Sequence, residues 1–284
     1  MKNQYFGDIG DYGKYSLLRA FANEGIKVGV NWYLTEDDGS ADGKYTTYLY
    51  DDKDRIYDPE LYDCLKQMKT GEERDVKKFE VRNMIPDAIY YSEMLGISRL
   101  NGIKAKQEER SRWHEAAMET LRDADLIFMD PDNGLSIKDK STRKDSVKYA
   151  FATEAADYFE RGQNIVYYCH KGRRTPKKWE EAKMILSDYI QEAALIPLTF
   201  HRGTQRTFMF AIHREELERY EQILRIFMES KWQKHFKVEL AGTTFFGRGT
   251  SFSYPMLPGK IYPKGSTVKH NPDGTVTIVP PEDE

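Results

Sequence analysis

The chain has 284 residues, 39% of them hydrophobic and 31% charged, with a formal net charge of −3. That length supplies one large core, or a core with a small appendage, and no apolar run approaches the ~18 residues of a membrane span. The small net charge rules out whole-molecule attraction to nucleic acid, so a polyanion site has to be a local patch.

Two cysteines, Cys64 and Cys169, make no disulfide framework, and the opening Met1-Lys-Asn-Gln-Tyr5 carries no apolar signal-peptide core. Together they give the expectation of a cytoplasmic protein in a reducing compartment. After a polar opening, Lys14 to Ala22 has helical spacing with Leu17, Leu18 and Phe21 on one face, and Gly25 stops it. Ile26 to Leu34 reads as a strand, and Thr35 to Gly43 as an acidic loop with two glycines. Pro59 to Lys69 predicts a helix, Lys77 to Met84 a second strand, and Ala105 to Arg122 a long amphipathic helix. Asp125-Leu-Ile-Phe-Met129 is then a buried strand that runs straight into Asp130-Pro-Asp-Asn-Gly134.

The second half repeats the alternation. A helix over 146–161, a strand from Asn164 to Tyr168 and a helix over 177–194 lead to a hairpin, Leu195–Phe200 with Arg206–His213, around the turn His201–Thr204. A helix from Glu215 to about Lys231 closes the core. This order predicts an α/β core over 1–240, with a mostly parallel sheet covered on both faces and a terminal antiparallel hairpin. From about Gly242 the composition shifts to Gly, Pro, Ser and Thr, and Asn271-Pro-Asp-Gly274 between β-branched runs signals a hairpin. Residues 241–284 are read as a C-terminal β arm, packed on the core or docking a protein partner.

In an open α/β sheet, ligands bind beyond the carboxyl ends of the strands. That edge collects Glu36, Asp37, Asp38, Gly39, Asp42 and Gly43; Asp130, Pro131, Asp132 and Asn133; His170, Lys171, Arg173 and Arg174; and His201 with Arg202. Asp-Pro and Asn-Gly pairs also make turns on local grounds alone. An acid abutting a buried strand, however, is costly to place without a use. The run Cys169 to Lys178 holds five cations besides His170 and no acid, with Gly172 allowing close backbone approach to an anion; its alternative reading is a solvated face. The carboxylates of the 36–43 loop suit ribose hydroxyls or a metal, and an exposed loop equally.

Asp130-Pro-Asp-Asn133 resembles a variant of the (Asp/Asn)-Pro-Pro-(Tyr/Phe) motif of amino-group nucleic-acid methyltransferases. Tyr5-Phe-Gly-Asp-Ile-Gly-Asp-Tyr-Gly-Lys14 is loosely similar to the N-terminal segment of a ribosomal-RNA adenine-N6 methyltransferase family, where a comparable segment precedes the first helix and borders the site. From Tyr5 to Lys231 the chain thus resembles the Rossmann-like methyltransferase superfamily, whose order has the Asp-Pro motif after the fourth strand and an antiparallel hairpin at the end. The family's Gly-x-Gly-x-Gly loop is absent, and Asp132 and Asn133 replace the second Pro and the aromatic.

The resemblance implies a Rossmann-like fold and N-methylation of a nucleic-acid base with S-adenosylmethionine. Asp130, Pro131, Asp132, Asn133, His170 and Lys171 would then form the catalytic site. Glu36, Asp37, Asp38, Gly39 and Gly43 would hold the cofactor, and Lys171, Arg173, Arg174 and Arg202 would grip phosphates. The alternative is a nuclease or phosphodiesterase with Mg or Mn on Asp130, Asp132 and Asp37, since Asp132 adds a hard oxygen ligand. A third reading is an inactive binding module in a larger assembly.

Overall fold

The computed structural model describes residues 1–39, 43, 45–71, 74–136, 146–172, 174–190 and 193–238, together with short strands at 244–246, 250–252, 262–263, 267–270 and 276–279. Helix α1 spans Ile9–Asn23 and is capped by Asp8, whose carboxylate accepts from the Asp11 N–H at 2.9 Å. Two glycines inside it carry a helix-propensity cost and mark close approach. A Cβ on Gly10 would overlap the Arg206 guanidinium, and one on Gly13 would lie 2.9 Å from the Phe200 ring.

Strand β1 (Val28–Asn31) follows, then α2 (Pro59–Thr70), started by proline and capped by Asp58, and the short α3 (Val76–Glu80). Next come β2 (Ile89–Tyr91), α4 (Ile103–Thr120), β3 (Leu126–Met129) and a small parallel pair, β4 (Leu135–Ser136) with β5 (Ala150–Phe151). The rest is α5 (Ala152–Glu160), β6 (Asn164–His170), α6 (Pro176–Met184), β7 (Ala194–Phe200), β8 (Arg206–Ile212), α7 (Leu217–Glu229) and β9 (Phe236–Val238).

One seven-stranded sheet has the order β2-β1-β3-β6-β8-β7-β9. Strands β2, β1, β3 and β6 are parallel; β8 is antiparallel to both β6 and β7, and β9 is antiparallel to β7. Alternate side chains feed two cores. Val28, Val30, Phe128 and Phe210 pack with α1, α2 and α7 on one face, while Ile127, Met129, Tyr167 and Met209 pack with α4, α5 and α6 on the other. The mixed α/β architecture with a largely parallel centre therefore stands.

Two expectations change. Residues 77–84 are not a strand: Asp75 caps a helix there by accepting from the Lys77 N–H, and Val76 and Phe79, three apart, are both buried. The edge strand is instead Ile89–Tyr91. The hairpin is not the end of the sheet, because β9 adds beyond β7. Thr267–His270 pairs antiparallel with Val276–Val279, and their connection lies outside the described residues. No described helix is long and apolar enough to cross a membrane.

Candidate active site

The chain bends sharply where β1 ends. Tyr33 takes a left-handed backbone (φ 46°), a conformation rare for a bulky residue, with its N–H donated to Asn31 Oδ1 at 3.2 Å. Its carbonyl, the Asp130 carbonyl and Asp132 Oδ1 converge from neighbouring strand tips on the amino group of Met1, each at 3.0 Å. These three oxygens make an ammonium receptor.

Beside it lies a cleft of about 260 Å³, lined by the start of α1 (Asp8, Gly10, Asp11, Lys14), by Asp130 to Asn133, and by Tyr168, His170 and Arg206 from β6 and β8. Lys14 sits at its centre, with its ammonium 2.7 Å from both Asp11 Oδ1 and Asp130 Oδ2. Burial alone would pull Lys14 down, but the two carboxylates more than offset it and leave its pKa above the lysine value. Burial pushes Asp130 above the ordinary carboxylate value, with Lys14 opposing.

A second ion pair forms the far wall, where Arg206 Nη2 meets Asp8 Oδ2 at 2.7 Å. Burial raises Asp8 despite the pull of Arg206. His170 lies directly opposite Arg206 in the β6–β8 register. Arg206 Nη1 and Asp132 Oδ2 are buried and have no hydrogen-bond partner, so the walls hold one spare donor and one spare acceptor.

The other anticipated residues lie elsewhere. Lys171 is not among the cleft-lining residues. The Arg174 guanidinium donates to the carbonyls of His170, Lys171 and Asn133, stapling the β6 loop to the β3 loop. Arg173 and Asp42 lie outside the described residues. Glu36 pairs with Arg99, Asp37 accepts from the Gln4 N–H at 3.0 Å, and Asp38 meets Lys2 and Gln4 Nε2. Gly39 N–H donates to Gln4 Oε1 at 3.1 Å. The acidic loop is thus latched to the N-terminal segment, and of its five expected ligand-holding residues only Gly43 lines the cleft. Among the described residues no group of three or more His, Cys, Asp or Glu could hold a metal ion.

Arg202 grips both oxygens of Asp54 in a second cleft of about 730 Å³, which also holds Tyr45, Lys53, Tyr57, Lys234 and His235. Asp8, Asp11, Lys14 and Arg206 were not anticipated as site residues. A signal was present: Lys14 sits one turn before Leu17 and Leu18 on the stripe that continues to Phe21, where a helix normally buries an apolar residue.

No family model and no curated protein matches the chain. Among solved structures it is similar to protein LPL1258 from Legionella pneumophila str. Philadelphia 1, of the DUF519 family. The two are 10% identical with a TM-score of 0.39, covering 82% of this chain and 96% of that one.

Proposed function

We propose that the protein is an S-adenosylmethionine-dependent N-methyltransferase acting on an exocyclic amine of a nucleic-acid base. The observation that carries the reading is the cleft itself. Asp130-Pro131 stands at the tip of β3, an interior strand of the sheet, and the Tyr5–Lys14 segment borders it through Tyr5, Asp8, Gly10, Asp11 and Lys14. The wedging of antiparallel β8 between β6 and β7 agrees with the closing hairpin of the methyltransferase fold. Asp130 departs from that fold in following the third strand of the sheet instead of the fourth.

The donor set fits one end of the cofactor. Tyr33 O, Asp130 O and Asp132 Oδ1 receive the Met1 amino group, and the ammonium on the amino-acid end of S-adenosylmethionine would take them only in its place; Asp132 Oδ2 has capacity to spare. When bound, the cofactor supplies an electrophilic methyl group on a sulfonium. Asp130, through the carboxylate oxygen that Lys14 leaves over, and the Pro131 carbonyl would accept the two N–H bonds of the target amine. Holding both fixes the nitrogen lone pair out of the base plane, a gain of orientation. Burial raises the Asp130 pKa and Lys14 opposes that rise. The phosphodiesterase reading has less support, because Asp37, its third expected ligand, accepts from the Gln4 N–H and does not line the cleft with Asp130 and Asp132.

Isothermal titration of the purified protein with S-adenosylmethionine, followed by transfer of its labelled methyl group to RNA and DNA, tests the reading. Saturable binding and label in the base support it. Absence of cofactor binding overturns it in favour of a binding module, and phosphodiester cleavage with Mg or Mn would favour the nuclease.

A further inference from the structure

We propose that the second cleft is a subsite for the nucleotide next to the target base, so that the substrate is a single strand read across at least two positions. This rests on the methyltransferase reading for what happens in the first cleft, but not for the binding itself. The two clefts adjoin: Tyr45 lines both, Ile9 and Gly203 line the second, and their chain neighbours Gly10 and Thr204 line the first.

Tyr45 marks the junction. Its carbonyl accepts from the Ile9 N–H at 3.0 Å, which pins its backbone to the start of α1, while the residue stays 58% exposed. An exposed tyrosine on a pinned backbone between two clefts suits stacking on a base, an interaction any base can make. The second cleft supplies what a flanking nucleotide needs. Tyr57 offers a second aromatic surface and is held by its hydroxyl to His235 Nε2 at 2.8 Å.

The cations differ in commitment. Arg202 is spent on Asp54, which neutralises the deepest acid. Lys53, its side chain 81% exposed, meets only the exposed Asp51, and such a pair is weak in water. Lys234 is also exposed on the rim. Two exposed ammoniums in a cleft also lined by Tyr45 and Tyr57 suit a phosphate and its base. The first cleft, by contrast, carries Asp8, Asp11, Asp130 and Asp132, and suits an amine-bearing base better than a phosphate.

The test uses the full chain with a labelled single strand of roughly 8 nucleotides and, separately, a nucleoside monophosphate, across a salt series. Lys53→Gln with Lys234→Gln is expected to lower the log–log salt slope for the strand by about 1.4 and to weaken the parent's weaker monophosphate binding as well. Tyr45→Ala is expected to weaken strand binding roughly tenfold. Unaltered strand affinity and slope in the double variant overturn the proposal, as does a parent protein that binds the monophosphate as tightly as the strand, or no strand at all. Titration with S-adenosylmethionine reads the methyltransferase assignment independently, so the two can fail separately.

Discussion

The Lys14 ammonium and the Asp130 carboxylate, 116 residues apart in the chain, meet at 2.7 Å inside the protein. Asp11 flanks the same ammonium at the same distance, so one cation serves two buried acids. The arrangement ties α1 to the tip of β3, and the site and the fold therefore share one interaction.

Removing the cation exposes that dependence. Lys14→Met leaves Asp11 and Asp130 buried together with the Met1 ammonium as a remaining nearby positive charge, and breaking a buried pair typically costs about 3–5 kcal/mol. Urea denaturation of parent and variant at neutral pH measures it. A loss well below 1 kcal/mol would mean that solvent already reaches the pair.

Asp130→Asn keeps the shape of the side chain but gives up a charged acceptor. Methyl transfer is expected to fall by about 10²–10³, the scale for losing one preorganised electrostatic contact. Nucleic-acid binding should hold or strengthen, since a negative charge has gone. Single-turnover rates together with binding isotherms separate the two effects; equal loss of both would place Asp130 in binding alone.

A different buried acid contributes to the acid limb of stability. Glu154 is bound by Arg110 through Nε–Oε1 at 2.6 Å and Nη2–Oε2 at 2.9 Å, and also accepts from the Phe151 N–H and the Tyr33 hydroxyl. Burial pushes its pKa up, but Arg110 and these donors outweigh burial and bring it below the usual 4.5. A carboxyl with a depressed folded pKa binds fewer protons than in the unfolded chain. Its stabilisation is complete above 4.5 and is lost as pH falls through the folded value. Chemical denaturation from pH 7 downward should show that loss, and Glu154→Gln should remove its share of the slope.

Gly10→Ala pits helix propensity against space. Alanine contributes up to about 1 kcal/mol to a helix interior, yet its methyl group would overlap the Arg206 guanidinium. Moving Arg206 strands Asp8 in the interior, so a net loss of about 2 kcal/mol is expected. A thermal melt tests the sign, and a stabilised variant would show that Arg206 relocates freely.

Much of the fold was legible because its signals are local. The apolar run Leu126–Met129 ending in Asp130-Pro131, the glycine stops at Gly25 and Gly162, and the β7–β8 hairpin all follow from periodicity and turn chemistry. The misreading at 77–84 arose because Phe79-Glu-Val-Arg82 alternates like a strand, while the cap at Asp75 decides for a helix. The site was half legible. Asp130 to Asn133 and His170 announce themselves at strand tips, but the cation that meets Asp130 comes from α1, not from Lys171. Nothing local in Lys14 or Arg206 says which acid each will find, because that depends on strand order. Likewise the charges of Asp37, Asp38 and Arg174 look available in sequence and are consumed by Gln4, Lys2 and nearby carbonyls.

The Asp8–Arg206 pair closes over 198 residues, and that span sets an order of assembly. During synthesis the first helix leaves the ribosome with Asp8 unmatched, and its partner follows roughly 10–40 s later at ordinary elongation rates. Until then α1 can be held by Asp130 through Lys14 but lacks its contact to β8, which has yet to enter between β6 and β7. The cleft is therefore among the last parts of the molecule to be completed, and a chain arrested before residue 206 carries the acids of the site without the arginine that anchors them.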